Sequence, residues 1–214
     1  ERLINGEVDV LLATAPNDDI LARASAMGIE LELIPIAKDG FVFYVNSSNP
    51  VDSLKVSDIQ KIYSGQITNW VQLGGENENI IAFQRTENSL NQREMMSLVM
   101  KNLEIINPPR YIFKDANFGE INDLIACYDN SKAGIGYSYY SDAKILYDID
   151  SKKDDEIKLI KINDIEPNYD SISQSEYPFQ TNYYLIRNKT NTRENVEIFI
   201  NAMLSERGKK GWIY

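Results

Sequence analysis

Short apolar runs of strand character alternate with stretches of helical period along most of the chain, and that alternation leaves few architectures open. "EVDVLLAT" (7–14) reads as a strand, and "NDDILARASAMG" (17–28) as a helix with a polar start and Gly28 beyond its end. "LELIPIAKDGFVFYVN" (31–46) is rich in β-branched and aromatic residues and reads as extended. "VSDIQKIYSG" (56–65) spaces Val56, Ile59, Ile62 and Tyr63 for a short helix, with Ser57 as the candidate N-cap and Gly65 past the end. Further strands are expected at "IIAF" (80–83), "GIGYSYY" (134–140), "IKLIKI" (157–162) and "TNYYLIRN" (181–188). A last helix over "TRENVEIFINAMLSERGKKG" (192–211) would pack Val196, Phe199, Ile200, Met203 and Leu204. The stretches 45–53, 72–79, 104–110, 150–156 and 186–194 read as loops, with Pro108 and Pro109 marking a bend. Alternation of this kind predicts an α/β protein whose sheets are covered by helices.

A length of 214 residues gives room for one large domain or for two lobes, each with a core. No apolar run approaches the roughly 18 residues that span a bilayer. The net charge of −10 argues against nucleic acid, which is held by clustered cations. It leaves a small anion open, because local donors rather than net charge hold one. The chain contains no histidine and a single cysteine, Cys127. Ser–His and Cys–His nucleophile pairs are therefore excluded, and a zinc site would be nearly all carboxylate. Cys127, in the helical stretch "INDLIACYDN", is expected as a buried inert thiol. The acidic runs Asp18–Asp19 and Asp154–Glu156 read as a solvated helix start and a loop, and Asp129 to Asp142 lacks calcium-loop spacing. No metal and no cofactor are expected. An enzyme would depend on a carboxylate pair or a Ser–Lys arrangement, which places catalysis behind binding. The first residue is Glu1 and no signal peptide is visible, so a processed form or a piece of a longer polypeptide is expected.

"IIAFQRTENSLNQREMMSLVM" (80–100) carries the most chemistry. A buried strand feeds a helix through a short polar loop led by Arg85. Ser89, or Asn88 one place earlier, fits the N-cap, and Met95, Met96, Leu98 and Val99 form the packed stripe. The first helical N–H groups have no intrahelical partner and carry positive potential, so an anion can be held there. Arg85 adds a planar fork suited to an oxoanion. The competing expectation is that Ser89 only caps the helix and Arg85 pairs with Glu87 or Glu94. Trp70 and Tyr63 are expected to pack the short helix, and Tyr137 to pack rather than touch a ligand. Lys38 and Asp39 would pair at the surface.

The ordered series "LINGEVDVLLATAP", "PIAKDGFVFYVNSSNPVDSLKVSDIQKIYSGQITNWVQLGG", "IIAFQRTENSLNQ", "AGIGYSYY", "IKLIKINDIEPNYDSI", "YPFQTNYYLI" and "FINAMLSERGKKG" resembles the phosphate-binding proteins of bacterial phosphate ABC transporters. These belong to the two-lobed periplasmic-binding-protein superfamily, type II. The resemblance implies two α/β lobes around a ligand cleft, lobe A at 1–45 and 176–214 and lobe B at 46–175. The crossing strands would lie near 43–47 and 174–183. It implies phosphate contacts from Arg85, Ser89, Asn91 and the N–H groups of Leu90 and Asn91, with Asn88 and Gln92 beside them and Thr14 facing from lobe A. Relatives carry Ser-Gly-Ser or Ser-Gly-Thr where this chain has Ser89-Leu90-Asn91, and some carry a proton-accepting aspartate where it has Thr14. Their first strand, Gly/Ser/Thr-rich loop, helix and next strand precede the point matching Glu1. The native polypeptide would then extend before Glu1, or another chain would supply the missing strand. The implied function is an extracytoplasmic, non-enzymatic binder of inorganic phosphate. It would be tethered through a lipidated N-terminus, monomeric when complete, and would deliver phosphate to a membrane permease. The alternative is the same fold with an altered or lost ligand, acting as a sensor or surface interaction protein.

Overall fold

The computed structural model describes residues 1–87, 89–106, 111–113, 131–147 and 157–209. Asn88, Pro108, Pro109, Cys127, Asp129 and the acidic run 154–156 lie outside the described residues. In chain order the elements are β1 (Val10–Thr14), α1 (Asp18–Ala26), β2 (Leu31–Asn46), β3 (Ser53–Leu54), α2 (Val56–Tyr63), β4 (Ile81–Arg85) and α3 (Leu90–Glu94). There follow β5 (Tyr111–Phe113), β6 (Gly134–Tyr139), α4 (Tyr140–Tyr147), β7 (Ile157–Leu159), β8 (Lys161–Ile162) and α5 (Tyr169–Ser173). The chain continues through β9 (Gln180–Asn188), α6 (Glu194–Leu204) and α7 (Glu206–Lys209). Two compact units result, Glu1–Asp39 with Thr181–Tyr214, and Gly40–Gln180.

In the larger unit, the second half of β2 pairs antiparallel with β6, Phe41 opposite Tyr139 and Val45 opposite Ile135. On its other side β2 pairs antiparallel with β7. β4 runs parallel to β6, with Ala82 level with Ile135, and β5 runs parallel to β4. Parallel neighbours end on the same side, so the chain leaves β4 and β6 at one edge of the sheet. The core is aromatic. Phe43 packs against Phe41, Tyr63, Tyr137 and Phe179 at centroid separations of 5.9–6.2 Å. Tyr63 and Trp70 are buried as expected, and the Trp70 indole N–H donates to the Ala133 carbonyl at 2.9 Å. A Cβ at Gly40 would lie 2.6 Å from Ile172 Cδ1, so a larger residue there would displace that buried side chain.

In the smaller unit, β1 pairs antiparallel with β9, Val10 opposite Arg187 and Thr14 opposite Tyr183, and β9 neighbours β2. Ile36, Leu185, Val196 and Ile200 pack together between sheet and α6. Arg187 joins Glu32, at 2.6 Å, and Glu197.

Local readings were revised in four places. Ser57 is not the cap of α2. Lys55 holds that position, its N–H donating to the Asp58 carboxylate at 3.0 Å, and Ser57 lies inside the helix. "IKLIKI" is not one strand. It breaks at Ile160, whose N–H donates to the Phe43 carbonyl, and β8 then pairs with β3 in a separate two-stranded sheet. The last helix stops at Leu204 because Ser205 is extended, and Phe199 is 47 % exposed because Val196 and Ile200 set the covered face. Asp39 is buried rather than at the surface, since it stands inside the long strand β2.

Candidate functional site

β4 buries Phe83 and Gln84 and ends at Arg85. The loop then turns back, Ser89 N–H donating to the Thr86 carbonyl at 2.9 Å. Ser89 has extended backbone and caps α3, its hydroxyl accepting the Gln92 N–H at 3.1 Å. α3 runs without a break into a π-helical turn over Met95–Met100. The wider turn is closed by the Lys101 N–H on the Met96 carbonyl at 2.7 Å, and it brings Met100 into the core beside Met95 and Val99. Met96 and Leu98 are partly buried against the same core. A strict 3.6-residue period does not anticipate Met100.

One contact between helix and sheet was not anticipated from sequence. The Arg85 N–H is shared between Gln92 Oε1, at 3.0 Å, and Tyr137 Oη, at 3.1 Å, and the Tyr137 hydroxyl donates to Gln92 Oε1. Gln92 and Tyr137 are both buried. Burial pushes the Tyr137 phenol well above its usual range, outweighing the Arg85 N–H and charge, so it stays protonated and remains a donor. The clamp fixes the backbone of Arg85 against the first turn of α3. A glutamine in the first turn of a buried helix, with a tyrosine in the neighbouring strand, was the available signal.

The Arg85 guanidinium is half-buried and forms no ion pair among the described residues, so neither Glu87 nor Glu94 neutralises it. Asn91 follows in the first turn, and its Oδ1 is buried with no hydrogen-bond partner. The N–H groups of Leu90 and Asn91 lie in the first turn, where no intrahelical carbonyl meets them. The Leu90 side chain is 38 % exposed and turns outward. Arg85, Ser89, Leu90, Asn91 and Gln92 thus gather in the larger unit. Asn88 is outside the described residues, and Thr14 ends β1 in the smaller unit.

An open concavity of about 500 Å³ lies wholly in the smaller unit, lined by Leu3, Asp9, Asn191 and Arg193 among others. Its arginine is already spent on Asp9, at 3.0 and 3.2 Å, and Asn191 donates to the same carboxylate. That cavity offers no unpaired cation, whereas the Arg85 loop does. Among the described residues no group of three His, Cys, Asp or Glu could hold a metal ion.

Arg85, without an ion pair among the described residues, and the Ser89-capped start of α3 stand at the carboxyl ends of parallel strands of an α/β protein, where such folds commonly hold ligands. The PBP superfamily domain matches residues 1–207, and the chain belongs to that superfamily. It is 22 % identical over 165 residues to the phosphate-binding protein PstS of Bacillus subtilis, covering 76 % of this chain and 49 % of that protein. The chain therefore spans about half the length of this relative. An ABC-type phosphate transport receptor from Vibrio cholerae superposes with a TM-score of 0.73 at 24 % identity, over 98 % of this chain and 79 % of that one. The tungstate-binding protein TupA from Desulfovibrio alaskensis superposes with a TM-score of 0.62 at 18 % identity, over 98 % and 75 %.

Proposed function

We propose that the chain is the ligand-binding part of an extracytoplasmic solute-binding protein that captures inorganic phosphate and presents it to the permease of an ABC transporter. The observation that carries this reading is Arg85, which forms no ion pair among the described residues and whose backbone N–H is held by Gln92 in the first turn of the Ser89-capped helix α3. Its fork would hold two phosphate oxygens, and the N–H groups of Leu90 and Asn91 a third. Ser89 spends its oxygen on the cap and keeps its hydroxyl hydrogen for the anion. Thr14 is a further proposed contact, its hydroxyl able to donate or accept. The likeness to phosphate-binding relatives supports the same assignment, as does the fact that none of the three compared proteins carries an enzyme's name. No helix among the described residues is long and apolar enough to cross a membrane.

Titration calorimetry tests the reading. The protein should bind phosphate, and Arg85→Ala should weaken binding about 100-fold or more, the loss of two charge-assisted hydrogen bonds. No heat at millimolar phosphate contradicts it. A second reading, a changed ligand in the same site, is favoured by Leu90 and Asn91 and by the fold shared with a tungstate-binding protein. A panel in which tungstate or another oxoanion binds while phosphate fails would select it.

A further inference from the structure

Two hydrogen bonds meet on Gln92 Oε1, one from the Arg85 N–H at 3.0 Å and one from the Tyr137 hydroxyl. Gln92 is 6 % exposed, and its own N–H donates to the Ser89 hydroxyl at 3.1 Å. A carboxylate oxygen would accept the same two donors, and in α2 one does the corresponding job. There Asp58, three places beyond the Lys55 cap, takes the Lys55 N–H at 3.0 Å. In α3 the residue three places beyond the Ser89 cap is Gln92, and the first turn holds no acidic residue. The helix dipole favours an acidic residue in that turn, and α1, α2, α4, α5 and α6 each have one.

What a glutamine supplies and a glutamate does not is an acceptor without charge. The Arg85 charge acts on the Tyr137 oxygen, which is bonded to Gln92 Oε1, so a negative charge on that atom would oppose it. Glu94 lies two positions further along the helix, a spacing at which side chains do not face each other. We propose that Gln92 is a positioning residue of the oxoanion site and that its neutrality is part of the role. It fixes the Arg85 backbone with the bonds a carboxylate would make, and it leaves the guanidinium charge to the ligand. This inference rests on the Arg85 site being the oxoanion site.

The test is Gln92→Glu, read by phosphate calorimetry and by the ¹H shift of the Arg85 backbone amide. The carboxylate keeps both bonds, so the Arg85 amide should stay as far downfield as in the unmodified chain or move further. Phosphate binding should nevertheless weaken about tenfold or more. A glutamine that only held the loop would be replaced by glutamate without loss of affinity. A smaller loss therefore overturns the proposal while the Arg85 reading stands, and so does an Arg85 amide that loses its bond as the affinity falls. If Gln92→Glu does not fold, Tyr137→Phe decides, because it leaves the uncharged Gln92 acceptor on the Arg85 N–H. Phosphate should then bind within about tenfold of the unmodified chain, and a greater loss overturns the role of Gln92. If the unmodified chain binds no phosphate, the Arg85 reading falls and this inference with it.

Discussion

The two units differ most in how well each covers its own apolar surface. In the larger, Phe41, Phe43, Tyr63, Tyr137 and Phe179 interlock, and helices and loops bury Ile59, Trp70, Met95 and Ile172 around them. The smaller packs Ile36, Leu185, Val196 and Ile200 but leaves Leu11, Leu12, Leu21, Met27, Ile198 and Phe199 exposed. β1 shows the contrast within five residues. "VLLAT" is apolar at successive positions, the pattern of a strand covered on both faces, yet β1 is the end strand of its sheet and Leu12 is 42 % exposed. The candidate anion site stands on the well-covered unit. A site that must hold a guanidinium and two N–H groups in register needs a scaffold that does not shift, and the aromatic core supplies one.

Substitutions that treat the units differently break or sharpen this contrast. Phe43→Ala should have the largest effect, a loss of about 3–5 kcal/mol in denaturant unfolding, because the cavity opens at the centre of the ring cluster. A loss under about 1 kcal/mol would mean that the larger unit is not the stable one. Gln92→Ala should cost about 1–3 kcal/mol by leaving the Arg85 N–H and Tyr137 hydroxyl without their shared acceptor. Phosphate affinity should fall with it, since the backbone of Arg85 loses its anchor to α3. Unchanged affinity would show that the clamp does not position the arginine. Leu12→Thr should change stability by no more than about 0.5 kcal/mol in this chain, as expected for an exposed edge position. A larger loss would mean that β1 is covered.

Much of this was legible in the residues, and the reasons differ from element to element. The mouth of α3 could be read because N-capping is a local, three-residue relation: Ser89 and the Gln92 N–H need nothing else to find each other. The identity of Arg85 as an unpaired charge could not, because Glu87 and Glu94 were equally available in sequence and only the folded loop separates them. Tyr137 is 52 positions from Arg85, and their contact follows from the parallel register of β4 and β6, which no local pattern encodes. Periodicity placed Val196 and Ile200 in the core but included Phe199 with them, since a helical stripe about 100° wide does not say where its border falls. The π-helical turn moved Met100 inward by adding a residue to the turn, a change the spacing of apolar residues permits without demanding.

The most direct measurement is a ¹H–¹⁵N spectrum of the protein titrated with phosphate, read at the backbone amides of Leu90 and Asn91 and at Arg85 Nε–H. Saturable shifts concentrated on these three groups, and lost in Arg85→Ala, are the predicted result. Phosphate that binds while leaving all three unmoved would contradict the assignment of this helix mouth as the anion site.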